Sequence, residues 1–243
     1  MQLGLAATRE EAQRLVLAGL VLEGTRPVAK AGEMLAAGAA LALRGRSRFV
    51  SRGGEKLEAA LDAFGLDVRG AACLDAGCST GGFTDCLLQR GAAHVLAVDV
   101  GYGQFAWSLR QDPRVDLRER TNVRSLDPES LDPRPTVLVA DLSFVSLRSI
   151  LPSLVRLVAP PPAPSVLVLL VKPQFEVRPA ETERGVVVDP EARARALQAV
   201  EAALHDAGLE AGGVVESPIR GAEGNVEYLL VARFLRAAGK PGA

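Results

Sequence analysis

The sequence predicts an α/β protein: a mostly parallel sheet covered by helices on both faces, an antiparallel hairpin at one edge, and a small α+β unit in front of it. Three observations carry this. From Glu55 onward short apolar segments alternate with helical patterns, as in βαβ units whose parallel strands are buried on both faces. The last two apolar segments have no long helix between them, so they read as a hairpin. A basic, glycine-rich stretch without periodicity, Arg44–Gly54 (RGRSRFVSRGG), separates this region from the segment before it.

The elements follow in order. Thr8 is placed to cap a helix, with Glu11 completing a capping box, and Ala12, Leu15, Val16 and Gly19 follow at helical spacing. Gly19 and Gly24 bracket a short strand at Leu20–Leu22; Val28–Lys30 and Ala39–Leu43 read as further strands, with Gly32 and Gly38 as turns. In the large region the expected strands are Ala72–Asp75, His94–Val100, Val115–Leu117, Thr136–Asp141, Val166–Lys172, Gly213–Glu216 and Val226–Ala232. The expected helices are Glu55–Phe64, Gly82–Gln89, Phe105–Gln111, Leu147–Leu157 and Pro190–Ala207. Ala159–Pro164 is a proline-rich loop within the domain, because the alternation resumes directly after it. The expected organisation is therefore a small unit at 1–45, a linker at 46–54 and a large domain at 55–238.

Composition limits the function classes. Of 243 residues, 48% are hydrophobic and 23% charged, as in an ordinary globular chain, and only 4% are aromatic. Aromatic base-stacking platforms are therefore a poor basis for any nucleic-acid binding. The net charge of −1 argues at first against a polyanionic partner, but its distribution does not. Met1–Lys56 holds nine Lys and Arg against five Asp and Glu, and the rest 19 against 24. A basic segment on a mildly acidic body can grip phosphates locally, with Arg46, Arg48 and Arg52 in the basic stretch; an uneven solvated surface is the alternative. Cys73, Cys78 and Cys86 fit no common zinc spacing, and His94 and His205 are isolated, so no metal is expected and the thiols read as reduced core residues. No signal-peptide pattern is visible, and the apolar run Val166–Val171 is far below the roughly 20 residues that span a bilayer. A cytoplasmic location without membrane contact is expected.

The sharpest motif is Leu74–Thr84, LDAGCSTGGFT. A buried strand ends at Asp75, a loop of small residues follows, and a helix begins near Gly82. Gly77, Gly81 and Gly82 permit tight turns and close approach of backbone to a ligand, with Ser79, Thr80 and Phe83 between and beside them. Asp99 closes the next strand, where an acidic residue can accept hydrogen bonds from a ribose diol. The glycine spacing is not G-x-G-x-x-G, and an acid closing the first strand suits a cationic ligand better than a pyrophosphate. S-adenosylmethionine is the inferred cofactor; a structural glycine loop in another doubly wound protein is the alternative. Asn122 follows the third strand, where an adenine-binding residue often sits, and reads equally as a turn asparagine.

Four charged residues converge. Asp141 and Lys172 close the fourth and fifth strands, and ligands of open α/β sheets bind at that carboxyl edge. Glu227 opens the last strand, which is antiparallel and so starts at the same edge. Lys56 opens the helix preceding the first strand, which runs opposite to it. Singly, each favours a structural ion pair; together, two lysines and two carboxylates at one ligand-binding edge favour chemistry. Methyl transfer from a sulfonium needs an oxygen nucleophile held in line, and a ribose hydroxyl needs a base. Lys172 is the expected base, with Lys56 tuning it or steadying the developing oxyanion, and Asp141 and Glu227 orienting the lysines and the hydroxyl.

These segments resemble a known family. SRGGEKL at Ser51–Leu57, LDAGCSTGGFTD at Leu74–Asp85, ADLSF at Ala140–Phe144, LVKPQFE at Leu170–Glu176 and GNVEYL at Gly224–Leu230 are similar to the signatures of the TlyA (haemolysin A) proteins. These are ribosomal RNA cytidine-2′-O-methyltransferases of the FtsJ-like group. The resemblance covers nearly the whole chain. It implies a Rossmann-like class I methyltransferase sheet, S-adenosylmethionine as cofactor, and a Lys-Asp-Lys-Glu tetrad on Lys56, Asp141, Lys172 and Glu227. It implies cytidines of small-subunit and, in some members, large-subunit ribosomal RNA as substrate. Thr8–Gly32 is similar to the S4 RNA-binding module, and Arg9 and Arg14 are the residues this implies on RNA phosphates. The chain departs from that module in lacking its arginine-containing first helix, of which only Gly4–Ala6 matches the tail, so either the true start lies upstream or the module is shortened. Two other classes stay open: a pore-forming haemolysin, which no apolar span or barrel pattern supports, and an RNA-binding assembly factor with a vestigial pocket, against which the intact motif and complete charged set stand.

Overall fold

The structure is a computed structural model and describes residues 5–6, 8–24, 26–36, 38–43 and 48–235. It divides into two units, 1–48 and 49–243.

In the first unit, helix α1 (Arg9–Leu17) starts at Thr8, whose hydroxyl accepts a hydrogen bond from the Glu11 amide at 3.1 Å. Strand β1 (Val21–Glu23) lies between β2 (Arg26–Pro27) and β3 (Leu41–Leu43), antiparallel to both. The strand expected at Val28–Lys30 does not form. Val28 still bonds back to Val21, but the Ala29 amide is taken by Glu33, whose carboxylate also holds Arg26 at 2.6 Å. These bonds close a turn where the apolar pattern suggested extension.

The second unit begins at Phe49, so the stretch read as linker ends earlier than expected. Phe49 is buried, and the space a side chain at Gly54 would need is filled by its ring. Helix α2 accordingly starts at Gly53 rather than Glu55 and runs to Ala63.

The remaining elements are β4 (Ala72–Ala76), α3 (Gly82–Gln89), β5 (His94–Val98), α4 (Trp107–Arg110), β6 (Val115–Arg118), β7 (Val137–Ala140), α5 (Leu147–Val155), β8 (Val166–Val171), α6 (Pro190–Asp206), β9 (Leu209–Glu216) and β10 (Tyr228–Phe234). The sheet order is β6-β5-β4-β7-β8-β10-β9; β4 to β8 are parallel, and β10 is antiparallel to both its neighbours. Every residue of β7 and β8 is buried, as a central parallel strand between two helical layers requires. One apolar layer packs α2 and α3 on the sheet through Leu57, Leu61, Leu87 and Val139; the other packs α5 and α6 through Leu151, Leu154, Val200 and Leu138. Among the described residues no helix is long and apolar enough to cross a membrane.

Four boundaries differ from the sequence expectation for identifiable reasons. β5 stops at Val98 because Asp99 turns its carboxylate onto the amides of Ser79 and Gly101. α4 is four residues long because Phe105 is drawn into the core against Gly81. β9 starts at Leu209, ahead of the expected Gly213, and runs through both glycines; Gly213, at φ 142°, has the Phe64 ring where a side chain would lie. β10 starts at Tyr228 because Asn225 is occupied elsewhere, holding Val187 and Gly185.

Candidate active site

Strand register places the site. β4 pairs with β7 so that Ala76 faces Ala140; one step further brings Gly77 beside Asp141. A Cβ on Gly77 would lie 2.5 Å from the Asp141 carbonyl oxygen, and the residue has φ 84°, so no other residue fits there without strain. β10 pairs with β8 so that Tyr228 faces Val171; one step further sets Glu227 opposite Lys172. The topological switch between β4 and β7 opens at this same edge, the crevice where such sheets bind ligands.

The four charged residues form two ion pairs. Lys56 Nζ lies 2.5 Å from Glu227 Oε2, and both side chains are buried. Lys172 Nζ lies 2.6 Å from Asp141 Oδ1 and donates to Ser143 Oγ at 2.8 Å. Each lysine thus has a carboxylate of its own. Three adjoining cavities meet at these pairs. The first, about 480 Å³, is lined by Gly77, Ser79, Asp99, Asn122, Asp141 and Phe144 among others. The second, about 230 Å³, is lined by Arg52, Lys56, Ser79, Thr80, Phe83 and Asp141. The third, about 460 Å³, holds Lys56, Lys172 and Glu227 together, with Phe144, Gln174 and Phe175.

Residues 49–234 match the FtsJ-like methyltransferase family. The chain belongs to that family. It is 49% identical over 233 residues to the 16S/23S rRNA (cytidine-2′-O)-methyltransferase TlyA of Mycobacterium tuberculosis, a match covering 95% of this chain and 86% of the relative. It is 38% identical over 229 residues to Hemolysin A of Brachyspira hyodysenteriae, covering 93% and 94%. A solved structure of a Streptococcus thermophilus protein, also given the name hemolysin, superposes with a TM-score of 0.76 at 41% identity, covering 97% of this chain and 86% of that one. An S-adenosylmethionine-dependent methyltransferase from Listeria monocytogenes, at 15% identity and TM-score 0.56, shares the fold over 76% of this chain and 98% of its own. The FtsJ-like unit is thus an enzyme domain with a Rossmann-like sheet, and its cofactor is S-adenosylmethionine.

The residues of the methyltransferase site fit that cofactor. The first cavity is within the usual ligand-pocket range of about 300–1,000 Å³. Its floor is the side-chain-free surface of Gly77, and its polar walls, Asp99 and Asp141, suit a cation. Asp99 spends one lone pair of each oxygen on the amides of Ser79 (2.8 Å) and Gly101 (2.6 Å), leaving acceptor capacity for a ribose diol. Asn122 caps the turn, its side-chain oxygen accepting from the Arg124 amide at 3.0 Å, and it also lines the cavity.

Three expected cofactor residues do something else. Asp75 is fully buried behind the loop, bonded to Thr84 Oγ1 at 2.7 Å, and lines none of the three cavities. Gly81, at φ 95°, makes room for Leu109 and Phe105. Gly82 makes room for Ser51 and the backbone of Gly53 and Gly54 where α2 approaches α3. Of the expected RNA contacts, Arg9, Arg14, Arg48 and Arg52 are exposed, Arg52 at the second cavity, while Arg46 lies outside the described residues. The sequence reading missed Ser143, Phe144 and Gln174 as wall residues, although ADLSF and LVKPQFE contain them.

Burial pushes the Asp75 carboxyl up to about 7, with Asp141 and Asp99 adding to it against the opposing Thr84 bonds. The folded state therefore favours the neutral acid. Its contribution to stability is complete below the ordinary value of 3.8 and is lost as pH rises through about 7. Asp75→Asn is expected to remove this loss: the melting-temperature gap between variant and wild type moves in favour of the variant as pH goes from about 4 to about 8. A gap constant across that window would show that Asp75 folds already ionised.

Gly221 is the second glycine that matters. A Cβ there would collide with the Glu227 carboxylate. Gly221→Ala is expected to displace Glu227 from Lys56 and lower turnover by about tenfold to a hundredfold, with cofactor affinity kept. Adding Glu227→Asp, one methylene shorter, is expected to recover part of the loss. Such non-additivity is the signature of contacting residues; kinetics of the two single variants and the double measure it.

Proposed function

We propose that the chain transfers the methyl group of S-adenosylmethionine to the ribose 2′-hydroxyl of a cytidine in ribosomal RNA, of 16S and, like the mycobacterial relative named for both, 23S type. The observation that carries this reading is the meeting of the two ion pairs Lys56–Glu227 and Lys172–Asp141 at the wall between the cofactor cavities and the third cavity. A ribose hydroxyl becomes a good nucleophile only as its proton leaves, and a lysine amine beside the cofactor cavities suits that task.

Bound S-adenosylmethionine supplies a methyl group on a cationic sulfonium. The protein supplies the rest. Gly77, Ser79, Asp99, Asn122 and Asp141 hold the cofactor; Thr80 and Phe83 wall the adjoining space. In its neutral amine form Lys172 Nζ, held between Asp141 and Ser143, would take the proton of the 2′-hydroxyl, and the ammonium so formed is balanced in charge by Asp141. Lys56, fixed by Glu227, faces the same cavity and steadies the oxyanion as it develops. None of these roles requires a metal.

The RNA grip is assigned to the first unit and the basic stretch after it. Residues 1–45 act as an S4-like module through Arg9 and Arg14, with Arg46, Arg48 and Arg52 next in the chain as further phosphate contacts. Such an enzyme works where ribosomes are assembled, in the cytoplasm. Mass-spectrometric mapping of ribose methylation in ribosomal RNA from cells with and without the gene tests the function. A cytidine 2′-O-methyl mark lost with the gene and restored by the purified enzyme is expected; an unchanged methylation map refutes it.

A further inference from the structure

Two carboxylates among the described residues line the third cavity, and the chemistry above uses only one. Glu227 is taken by Lys56. Glu223 has neither a hydrogen bond nor an ion pair among the described residues. It is nevertheless held in place. Its backbone stands at φ 59° and ψ 8°, a left-handed conformation that is uncommon outside glycine and that clusters at functional sites. A Cβ on Gly185 would lie 2.6 Å from Glu223 Oε2. The carboxylate therefore rests on the side-chain-free face of Gly185, which lines the same cavity. Asn225, 1% exposed, ties the two segments together: its side chain accepts from the Val187 amide at 3.0 Å and donates to the Gly185 carbonyl at 2.9 Å.

A carboxylate without a partner is an unfavourable wall for a polyanionic substrate. Like charges brought together cost binding energy, so Glu223 works against RNA unless the substrate brings it a donor. Lys56 and Lys172 line this cavity and place the reacting hydroxyl there. About 460 Å³ leaves room for the nucleoside that carries it. The donor then belongs to the base. A carboxylate accepts hydrogen bonds through both oxygens, whichever way it turns. Cytosine offers it an exocyclic amine, which donates; uracil has a carbonyl oxygen at the same place, which only accepts.

We infer that Glu223 is a specificity residue: its carboxylate accepts a hydrogen bond from the exocyclic amine of the target cytosine and repels the oxygen that uracil carries there. The inference rests on the proposed ribose methylation and adds to it the group that selects the base. No rotation of the side chain turns an acceptor-only group into a match for uracil. Sites built to hydrogen-bond a substrate reject the mismatched analogue far more strongly than apolar sites do.

The test crosses three enzymes with two RNAs. Once the methylated cytidine has been mapped, subunits are reconstituted from transcripts carrying cytidine or uridine at that position. Wild type, Glu223→Gln and Glu223→Ala are assayed in single-turnover methylation with S-adenosylmethionine. Wild type is expected to prefer cytidine by at least about tenfold. In Glu223→Gln, whose amide can donate to the uracil oxygen, the ratio is expected to fall toward one, with the rate on uridine rising above that of wild type. A merely structural role would not raise that rate. Glu223→Ala, which leaves neither acceptor nor donor, is expected to lower the ratio as well. Cofactor affinity by calorimetry is expected to stay within about twofold of wild type in both variants, because Glu223 lines neither cofactor cavity. A wild type that methylates both RNAs equally, or a ratio that keeps its wild-type value in either variant, overturns the assignment. Failure of the wild type to methylate either RNA instead refutes ribose methylation itself, so the two failures are distinguishable.

Discussion

Lys172→Ala is expected to slow methyl transfer by about a thousandfold while leaving the affinity for S-adenosylmethionine within about twofold. The magnitude is that of removing a positioned general base, about 10²–10⁴. The retained affinity follows from position: Lys172 lines the third cavity but neither of the two assigned to the cofactor. The variant is expected to fold, because the partner left behind, Asp141, keeps a quarter of its side chain exposed and can turn to water. Lys172→Arg separates a base from a fixed charge. Guanidinium can pair with Asp141 as lysine does but cannot give up its proton in a protein, so this variant is expected to be as slow as the alanine. Single-turnover rates with calorimetry on the same preparations decide it; an active arginine variant would reassign Lys172 from base to electrostatic partner.

Gly77→Ala is expected to weaken cofactor binding by a hundredfold or more. Two costs coincide there. The backbone at φ 84° disfavours any side chain, and the new Cβ would stand 2.5 Å from the Asp141 carbonyl oxygen. Backbone cannot swing aside as a long side chain can, so the loop would retreat from β7 and carry Ser79 and its bond to Asp99 with it. Gly103→Ala is the control: it has φ 76° but nothing within 4 Å of the added atom. It carries the strain without the collision, about 1 kcal/mol. Calorimetric affinities for the cofactor and melting temperatures of both variants test this. Equal losses of affinity in the two would mean that strain, not contact with Asp141, sets the requirement for glycine.

Legibility in the sequence followed physical locality. The alternation of apolar strands and helices is a property of neighbouring residues, and so the sheet, its hairpin edge and most element positions could be read directly. The four charged residues could be read for a related reason. Lys56 stands near the start of a helix, Asp141 and Lys172 directly follow parallel strands, and Glu227 directly precedes an antiparallel one. The direction of each element therefore fixes the edge at which its residue stands. Asp99 and Gly77 were legible on the same ground.

Roles that depend on which segment comes to lie against which could not be read. Gly81 and Gly82 looked like cofactor glycines, yet one faces Phe105 and the other the start of α2. Asp75 looked like a ligand, yet its strand is central and its carboxylate is sealed beneath the loop. Nothing local marks Gly221 as the space for Glu227 or Ser143 as the partner of Lys172. The sequence by itself determined the fold class, the edge that binds ligands and the charged groups standing there. Only the tertiary structure decided how those groups pair and which neighbours shape the cavities. Pairing and cavity shape depend on distances of a few ångströms between segments far apart in the chain, and no periodicity along the chain encodes them.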